Sequence, residues 1–324
     1  MGDTIQDIKQ RTIEKHEYEL HNLKENTIYL KKIINDTRII SRNFDNHMFF
    51  NLYFDKIYVL NLDQQKDKWN KTKSHLEQNN IFNFTRFVGI DGKTQTNITK
   101  WNTYIIELKR KQHVRNIEQL PIGTYISSTG SYAILESVRN MIIDAKQNRY
   151  ETIVILQDDI ILCKDFCKRF HQFYLHNIAN NNPQWKIIYL GASQHEWSDS
   201  LIYSSKVNGM NGAKREDGFY IPNGTTDGAF AFILHQSVYD ELLKEIDKKE
   251  LSIDSGPLSV IQRKYYDIYK ASSQTSIPQV LVCYPNLVIS DVSKSDLRKP
   301  RSMIETAKRF RWDLNKYDIT YELF

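Results

Sequence analysis

Cysteine, glycine and long apolar runs are all scarce in this sequence. Three cysteines occur in 324 residues, without a CxxC pair, so the chain lacks both a complete disulfide framework and zinc-binding spacing. No stretch reaches the roughly 18–20 consecutive apolar residues that a transmembrane helix needs. The first residues, MGDTIQDIKQ, lack the apolar core of a signal peptide. We therefore expect a reduced cytoplasmic protein with no transmembrane segment.

A concentrated basic face is also missing. The formal charge is +5, from 44 basic and 39 acidic residues, and the two signs are mixed along the chain. This balance argues against nucleic acid as a partner and suits a small anionic ligand. Hydrophobic residues make up 40% of the chain and aromatic residues 12%, which is enough apolar material for a globular core. The abundance of Asn, Lys and Ile is typical of an AT-rich genome, such as that of a protist or a giant virus. For a viral protein, the host cytoplasm is the expected location.

The chain divides into three predicted regions. Residues 1–50 are charged and carry apolar positions at loosely helical spacing, which predicts a helical extension that packs on the core or forms a homodimer contact. Residues 51–300 are expected to form the main α/β domain, and residues 301–324 a C-terminal tail packed on it.

Short apolar runs alternate with amphipathic segments of helix length from residue 55 onward. The run KIYVLNLD precedes a polar helix, and SSTGSYAILESVRNMIIDAKQ predicts a capped helix that leads into the strand ETIVILQDDIIL. Further strands are predicted at KIIYLGAS, GAFAFILHQ and QVLVCYPNLVI. This order predicts a mostly parallel, Rossmann-like sheet flanked by helices, with ligands bound at the carboxyl ends of the strands.

Asp158 and Asp159 stand where the most apolar strand should end. Burying two unpaired carboxylates is costly, so they should emerge into a cleft or bind a cation. In an extended chain Gln157 and Asp159 share one face, and Asp158 points to the other. Oxygen ligands without nearby His or Cys favour Mg²⁺ or Mn²⁺. An adjacent acid pair also occurs in ordinary strand-ending turns with solvated carboxylates, so the pair alone does not decide between these interpretations.

The surroundings of the acid pair match a known pattern in several places. The matching segments, in order, are IYVLNLDQQKDKW, NFTRFVGIDGK, STGSYAILESVRNMI, VILQDDI, WKIIYLG, GTTDGAFAFIL, SIDSGPL and YPNLVISDVSKSDLR. They span residues 56–298 and resemble glycosyltransferase family 25, which includes lipopolysaccharide and collagen-type galactosyl- or glucosyltransferases. The resemblance implies a GT-A fold, a UDP-hexose donor, Mn²⁺ or Mg²⁺, and inversion at the sugar carbon. The acceptor would be a hydroxyl of a glycan or protein, and galactose and glucose both remain open as the transferred sugar.

The resemblance also implies roles for individual residues. An inverting transfer needs a carboxylate that takes the proton of the attacking hydroxyl. Asp254, in the acidic turn, is the first candidate for this base and Asp227 the second. Asp159 and Gln157 would hold the metal. Donor binding would fall to Asn61, Asp63, Lys68, Asp91, Asp158, Ser295 and Arg298, with Asp158 orienting the sugar hydroxyls.

Gln157 departs from the family pattern, which has Glu-Asp-Asp where this chain has Gln-Asp-Asp. An amide coordinates metal weakly, so the alternative hypothesis is a catalytically silent glycan- or nucleotide-binding scaffold of the same fold. A nucleotidyltransferase is a third hypothesis, but the chain has only 12 glycines and no glycine-rich phosphate loop.

Overall fold

The computed structural model describes residues 49–121, 123–179, 184–197, 202–203, 218–272, 278–294 and 300–319. The predicted helical extension over 1–50, with its homodimer contact, therefore lies outside the described residues except for its last two positions. These two open a short helix, α1 (Phe49–Tyr53). The division into an extension, a main domain and a tail stays a prediction.

A mixed sheet with one dominant strand direction forms the centre of the fold. The strands of the described residues are β1 (Lys56–Asn61), β2 (Phe84–Val88), β3 (Thr152–Gln157), β4 (Ile160–Leu162), β5 (Ile187–Tyr189), β6 (Ser193–Gln194), β7 (Ile202–Tyr203), β8 (Gly218–Ile221), β9 (Thr226–Asp227), β10 (Ala231–His235), β11 (Val280–Tyr284) and β12 (Val288–Ser290). Eight of these form one sheet in the order β2-β1-β3-β10-β5-β11-β8-β7. Only β10 and β8 run against the other six. The predicted mostly parallel α/β fold is confirmed.

Helices cover both faces of this sheet. After α1 they are α2 (Lys66–Gln78), α3 (Gln95–Lys111), α4 (Thr129–Gln147), α5 (Phe166–Tyr174), α6 (Tyr239–Asp247), α7 (Ser259–Ala271) and α8 (Met303–Phe310). Alternation along β1 shows the two layers, because successive side chains of a strand point to opposite faces. Ile57 and Val59 pack in the cluster that contains α1, α5 and α8, whereas Tyr58 and Leu60 pack with α4, α6 and α7.

Two strand ends bring polar residues to the same edge of the sheet. β1 and β3 pair in parallel with Leu60 opposite Gln157, so the residues that follow each strand emerge together. The apolar run ETIVILQDDIIL does not continue as one strand: β3 ends at Gln157, and β4 pairs with β12 in a separate small sheet. Asp158 and Asp159 therefore form the connection between two sheets. The predicted late strand QVLVCYPNLVI is likewise divided, into β11 and β12.

The turn after β2 lies against the N-terminus of α4. A Cβ atom at Gly92 would stand 2.7 Å from the carbonyl oxygen of Thr129, so this approach requires glycine. Ser128 caps α4 by accepting a hydrogen bond from the Ser131 N–H. The close contact carries Asp91 to the same sheet edge as Asn61.

The C-terminal segment, residues 300–319, packs on the sheet rather than extending away from it. Met303, Phe310, Trp312 and Tyr317 are all buried in the core cluster with α1 and α5. The Trp312 indole N–H donates to the carbonyl of Ala192 at 3.2 Å. Among the described residues, no helix is both long and apolar enough to cross a membrane.

Candidate active site

A cavity of about 700 Å³ opens at the carboxyl edge of the sheet, where open α/β sheets bind their ligands. The ends of β1 and β3, the turn after β2, the first turn of α4 and the C-terminal segment all contribute to its wall. Most of the predicted site residues line it: Asn61, Lys68, Asp91, Gln157, Asp158, Asp159, Asp227 and Asp254. Of the other predicted donor contacts, Asp63 is absent from the cavity lining, and Ser295 and Arg298 lie outside the described residues.

Asp159 has a carboxyl oxygen without a partner. Its Oδ1 is buried and makes no hydrogen bond with any residue that the structure describes, although the residue as a whole keeps partial exposure. Burial, and after it the neighbouring Asp158 carboxylate, raise the pKa of Asp159 to about 7. The charge of Lys68 and the hydroxyl of Ser290 act in the opposite direction on this pKa. A cation would supply the partner that Oδ1 lacks.

Asp158 is held by two polar side chains from outside its own strand. The Asn61 amide donates to Asp158 Oδ2 at 2.5 Å, and the Thr72 hydroxyl of α2 donates to the Asp158 carbonyl at 2.7 Å. Asn61 is itself fixed because Arg86 Nε donates to its Oδ1 at 2.8 Å. The strand-end carboxylate therefore has a defined orientation at the cavity wall.

The remaining predicted donor residues differ in their placement. Asp91 accepts a hydrogen bond from the Gln64 amide at 2.9 Å at the cavity wall. Asp63 instead lies outside the cavity lining, with its side chain 73% exposed and 3.3 Å from the Arg86 guanidinium. Asp63 thus neighbours the site through Arg86 and does not face the cavity directly.

Asp254 occupies a one-turn π-helical segment, Asp254–Leu258, immediately before α7. Its Oδ1 accepts hydrogen bonds from the Ser252 hydroxyl at 3.1 Å and from the Ser255 N–H at 3.0 Å. Gly256 allows this tight turn, since a Cβ there would stand 2.6 Å from the side chain of Leu251. The turn presents a fixed carboxylate to the cavity.

The other candidate base, Asp227, is paired with a histidine. His195 Nε2 lies 3.0 Å from Asp227 Oδ2, and both residues line the cavity. His195 Nδ1 in turn lies 3.2 Å from the guanidinium of Arg309 at the end of α8. The pair therefore joins the small two-stranded sheet of β6 and β9 to the C-terminal segment.

Sequence reasoning missed several residues of this cavity, namely His195, Arg301, Phe310 and Trp312 at its wall and Arg86 behind Asn61. His195 follows a two-residue strand, which is too short to produce a periodic signal. The three C-terminal residues reach the cavity only because α8 folds back onto the sheet. Among these residues, Arg86 could have been noticed in the sequence, because it is the charged position within the strand FTRFV. In the structure it lies opposite Val59 of β1.

The residues present fit a divalent cation that is shared with a bound ligand. No three His, Cys, Asp or Glu side chains among the described residues form a metal-binding group. Mg²⁺ and related ions nevertheless take few protein ligands where substrate phosphates and water complete the shell. Asp159 offers a buried, unpaired carboxylate oxygen. Gln157 can offer only its amide oxygen, because its nitrogen donates to the carbonyl of Ala229 at 2.9 Å.

A mainly parallel, Rossmann-like sheet with an acid-lined cavity at its carboxyl edge is consistent with a glycosyltransferase, among other enzymes of this fold class. The family model described as "Glycosyltransferase family 25 (LPS biosynthesis protein)" matches residues 54–255, and the chain belongs to this family. The resemblance inferred from the sequence is confirmed. The matched segment contains the acid pair, Asp227 and Asp254, whereas β12 and α8 lie beyond it.

Comparison with individual proteins adds little. No curated protein matches the chain. Among solved structures, the chain is similar to mannose-1-phosphate geranyltransferase from Thermus thermophilus, at 12% identity over 70% of this chain and 72% of that chain, with a TM-score of 0.23. A likeness of this size carries no argument about the present chain.

Proposed function

We propose that the protein is an inverting GT-A glycosyltransferase that moves galactose or glucose from a UDP-sugar to a hydroxyl of a glycan or protein. The observation that carries the proposal is the buried, unpaired Oδ1 of Asp159 at the wall of the acid-lined cavity. An arrangement of this kind has little structural benefit, because a buried carboxylate oxygen without a partner destabilises the fold. A cation bound together with a nucleotide would give this oxygen its partner and remove the energetic cost.

The cavity offers complementary groups for each part of a UDP-sugar. Lys68, Lys93 and Arg301 line it and would attract the diphosphate. Asn61, held by Arg86, would contact the nucleoside at the end of β1. Asp158 would accept hydrogen bonds from the hydroxyls of the hexose. A divalent cation held by Asp159 and the Gln157 oxygen would offset the negative charge of the departing diphosphate.

The proton of the attacking hydroxyl needs a fixed acceptor on the side of the sugar opposite the diphosphate. Asp254 is the first candidate, because two hydrogen bonds to its Oδ1 fix its orientation at the cavity wall. Asp227 is the second candidate, since it lines the same cavity and is held by His195. Either aspartate can accept the proton only in its ionised form, so the base must be ionised at the pH of the reaction.

Release of UDP from UDP-galactose and UDP-glucose, with Mn²⁺ or with a chelator, tests the proposal. We expect Mn²⁺-dependent release from one donor by the wild type and none by Asp159→Asn. The exposed variant Asp267→Asn on α7 is the matched control and should retain full activity. Release that is equally fast in Asp159→Asn would refute the cation role of Asp159, and release from neither donor would refute the transferase proposal.

Gln157 motivates a second candidate function, a catalytically silent scaffold that binds a nucleotide or glycan. Its amide nitrogen donates to the Ala229 carbonyl, and because a carboxamide is neutral, the position contributes no charge to a cation. The scaffold hypothesis expects saturable UDP binding without turnover. It also expects that Gln157→Glu creates cation-dependent turnover, whereas an active wild type excludes it.

A further inference from the structure

His195 occupies a position that links the cavity to the C-terminal segment. Its two ring nitrogens face different partners: Nε2 lies 3.0 Å from Asp227 Oδ2, and Nδ1 lies 3.2 Å from Arg309 Nη2. The imidazole also packs against the Phe310 ring in a T-shaped contact, with centroids 5.3 Å apart at an interplanar angle of 87°. Both ring nitrogens therefore have a partner, and the ring itself is packed against Phe310.

The local backbone explains why His195 meets Asp227. β6 and β9 pair antiparallel with Ser193 opposite Asp227, and the His195 N–H continues this ladder to the carbonyl of Thr225 at 3.4 Å. The paired strands β6 and β9 form a two-stranded ribbon. Residues two apart on a strand share a face, so His195 and Asp227 are diagonal neighbours on one face of this ribbon.

The other face of the ribbon is anchored in the protein interior. Gln194 and Thr226 are both buried and hydrogen-bond each other. The Gln262 amide of α7 donates to the Thr226 carbonyl at 2.9 Å and to the Tyr189 hydroxyl at 2.8 Å. This buried network gives the ribbon a fixed position from which His195 and Asp227 face the cavity.

The partners of His195 also determine where its proton resides. A guanidinium can only donate hydrogen bonds, so Nδ1 beside Arg309 must accept and carry no hydrogen. A neutral imidazole then carries its proton on Nε2, and this N–H donates a hydrogen bond to Asp227 Oδ2. The side chains of His195 and Asp227 remain 36% and 31% exposed, so water competes for this bond. The contact with Arg309 therefore matters, because it removes the tautomer that could not donate to Asp227.

We infer that His195 is a positioning residue for Asp227, and that Arg309 sets the tautomer of His195. Asp227 is thereby kept as a fixed hydrogen-bond acceptor at the wall of the cavity, ready to accept from a hydroxyl of the transferred sugar or of the acceptor. The inference rests on the proposed function for its catalytic consequence, but its structural part does not. It also assigns a role in the site to α8, which lies beyond the segment that the family model matches.

The structural part is tested by the tautomer of His195 in the full-length protein. Long-range ¹H–¹⁵N correlation spectra distinguish an imidazole protonated on Nε2 from one protonated on Nδ1. The signals of His195 among the nine histidines are those that disappear in His195→Gln. We expect a neutral Nε2–H ring in the wild type at pH 8. A ring protonated on Nδ1, or on both nitrogens, would overturn the inference.

Arg309→Met removes the donor to Nδ1 and keeps part of the aliphatic stem. We expect the Nε2–H population of His195 to fall in this variant. Lys308→Met is the matched control, because Lys308 is an exposed cation on the same helix and does not line the cavity. Unchanged His195 signals in Arg309→Met would refute the role given to Arg309.

The catalytic part is tested by two substitutions of His195, with UDP release from UDP-galactose and UDP-glucose as the probe. His195→Phe keeps the ring and its contact with Phe310 but cannot donate, so kcat should fall about ten- to a hundredfold, with a smaller change in KM. His195→Gln keeps an N–H donor and should recover most of the loss.

Equal kcat in His195→Phe and the wild type would refute a positioning role. Equal losses in the Phe and Gln variants would reduce His195 to a structural residue and also refute it. If the wild type itself releases no UDP, the proposed function fails, and the tautomer measurement still decides whether Arg309 and His195 fix Asp227.

Discussion

Replacing Asp159 with asparagine should stabilise the cation-free protein at pH 8 while it abolishes cation-dependent transfer. Burial and the neighbouring Asp158 raise the pKa of Asp159 from 3.8 to about 7 in the folded protein. The folded state then binds a proton more tightly than the unfolded state, so this group stabilises the fold at low pH. That stability is lost as the pH rises from about 4 to about 7 and does not change further above pH 7.

The magnitude follows from the same shift. Between pH 5 and about pH 7, the folded protein keeps the Asp159 proton that the unfolded chain has already lost. Each of these two pH units corresponds to about 1.4 kcal/mol. The wild type should therefore lose up to about 3 kcal/mol of unfolding free energy relative to Asp159→Asn over this interval. The figure is a ceiling, because the partial exposure of Asp159 allows water to reduce the cost of its charge.

Urea denaturation in a chelator, at pH 5 and pH 8, measures this difference for wild type, Asp159→Asn and the exposed control Asp267→Asn. The double difference between variants and pH values removes the contributions of titrating groups that do not interact with Asp159. Mn²⁺ with UDP should raise the unfolding free energy of the wild type at pH 8 and leave that of Asp159→Asn unchanged. Parallel pH dependence in the wild type and Asp159→Asn would refute the reasoning, because Asp159 would then be an ordinary solvated acid.

Three further substitutions probe the other parts of the cavity. Asp254→Asn should lower kcat about 10²- to 10⁴-fold with little change in KM for the UDP-sugar, and activity equal to that of Asp267→Asn would exclude Asp254 as the base. Gln157→Glu should lower the Mn²⁺ concentration needed for half-maximal activity, since a carboxylate replaces an amide; an unchanged Mn²⁺ titration would remove Gln157 from the cation site. Arg86→Met should weaken UDP binding about tenfold in calorimetry, because the charge-assisted bond that holds Asn61 is lost, and unaltered affinity would mean that Asn61 does not contact the nucleotide.

The sheet and its acidic edge could be predicted because their signals are local. Apolar runs such as TIVIL identify buried strands, and two carboxylates at the end of such a run must reach solvent or a cation. In the structure, the parallel register of β1 and β3 brings Asn61 and Asp158 together, although 97 positions separate them. The roles assigned to these residues remain predictions.

The rest of the site depends on long-range packing, which leaves no local pattern. His195 and Asp227 meet through a two-residue ribbon, and Arg309 reaches them only because α8 returns to the sheet. Asp63 shows the same dependence: it was predicted to bind the donor, and the structure places it at the surface, paired with Arg86 outside the cavity lining. Local sequence thus predicted which segments form strands, but not where each strand divides or which side chains after it face inward.

Uptake of Mn²⁺ by the protein in the presence of UDP tests the central claim most directly, because it requires neither the acceptor nor the correct sugar. Electron paramagnetic resonance reports the free Mn²⁺ that remains in solution. The account predicts that UDP makes the wild type sequester Mn²⁺, that Asp159→Asn does not, and that Asp267→Asn behaves as the wild type. Equal uptake by the wild type and Asp159→Asn would contradict the account, because the cation would then be held elsewhere than at the end of β3.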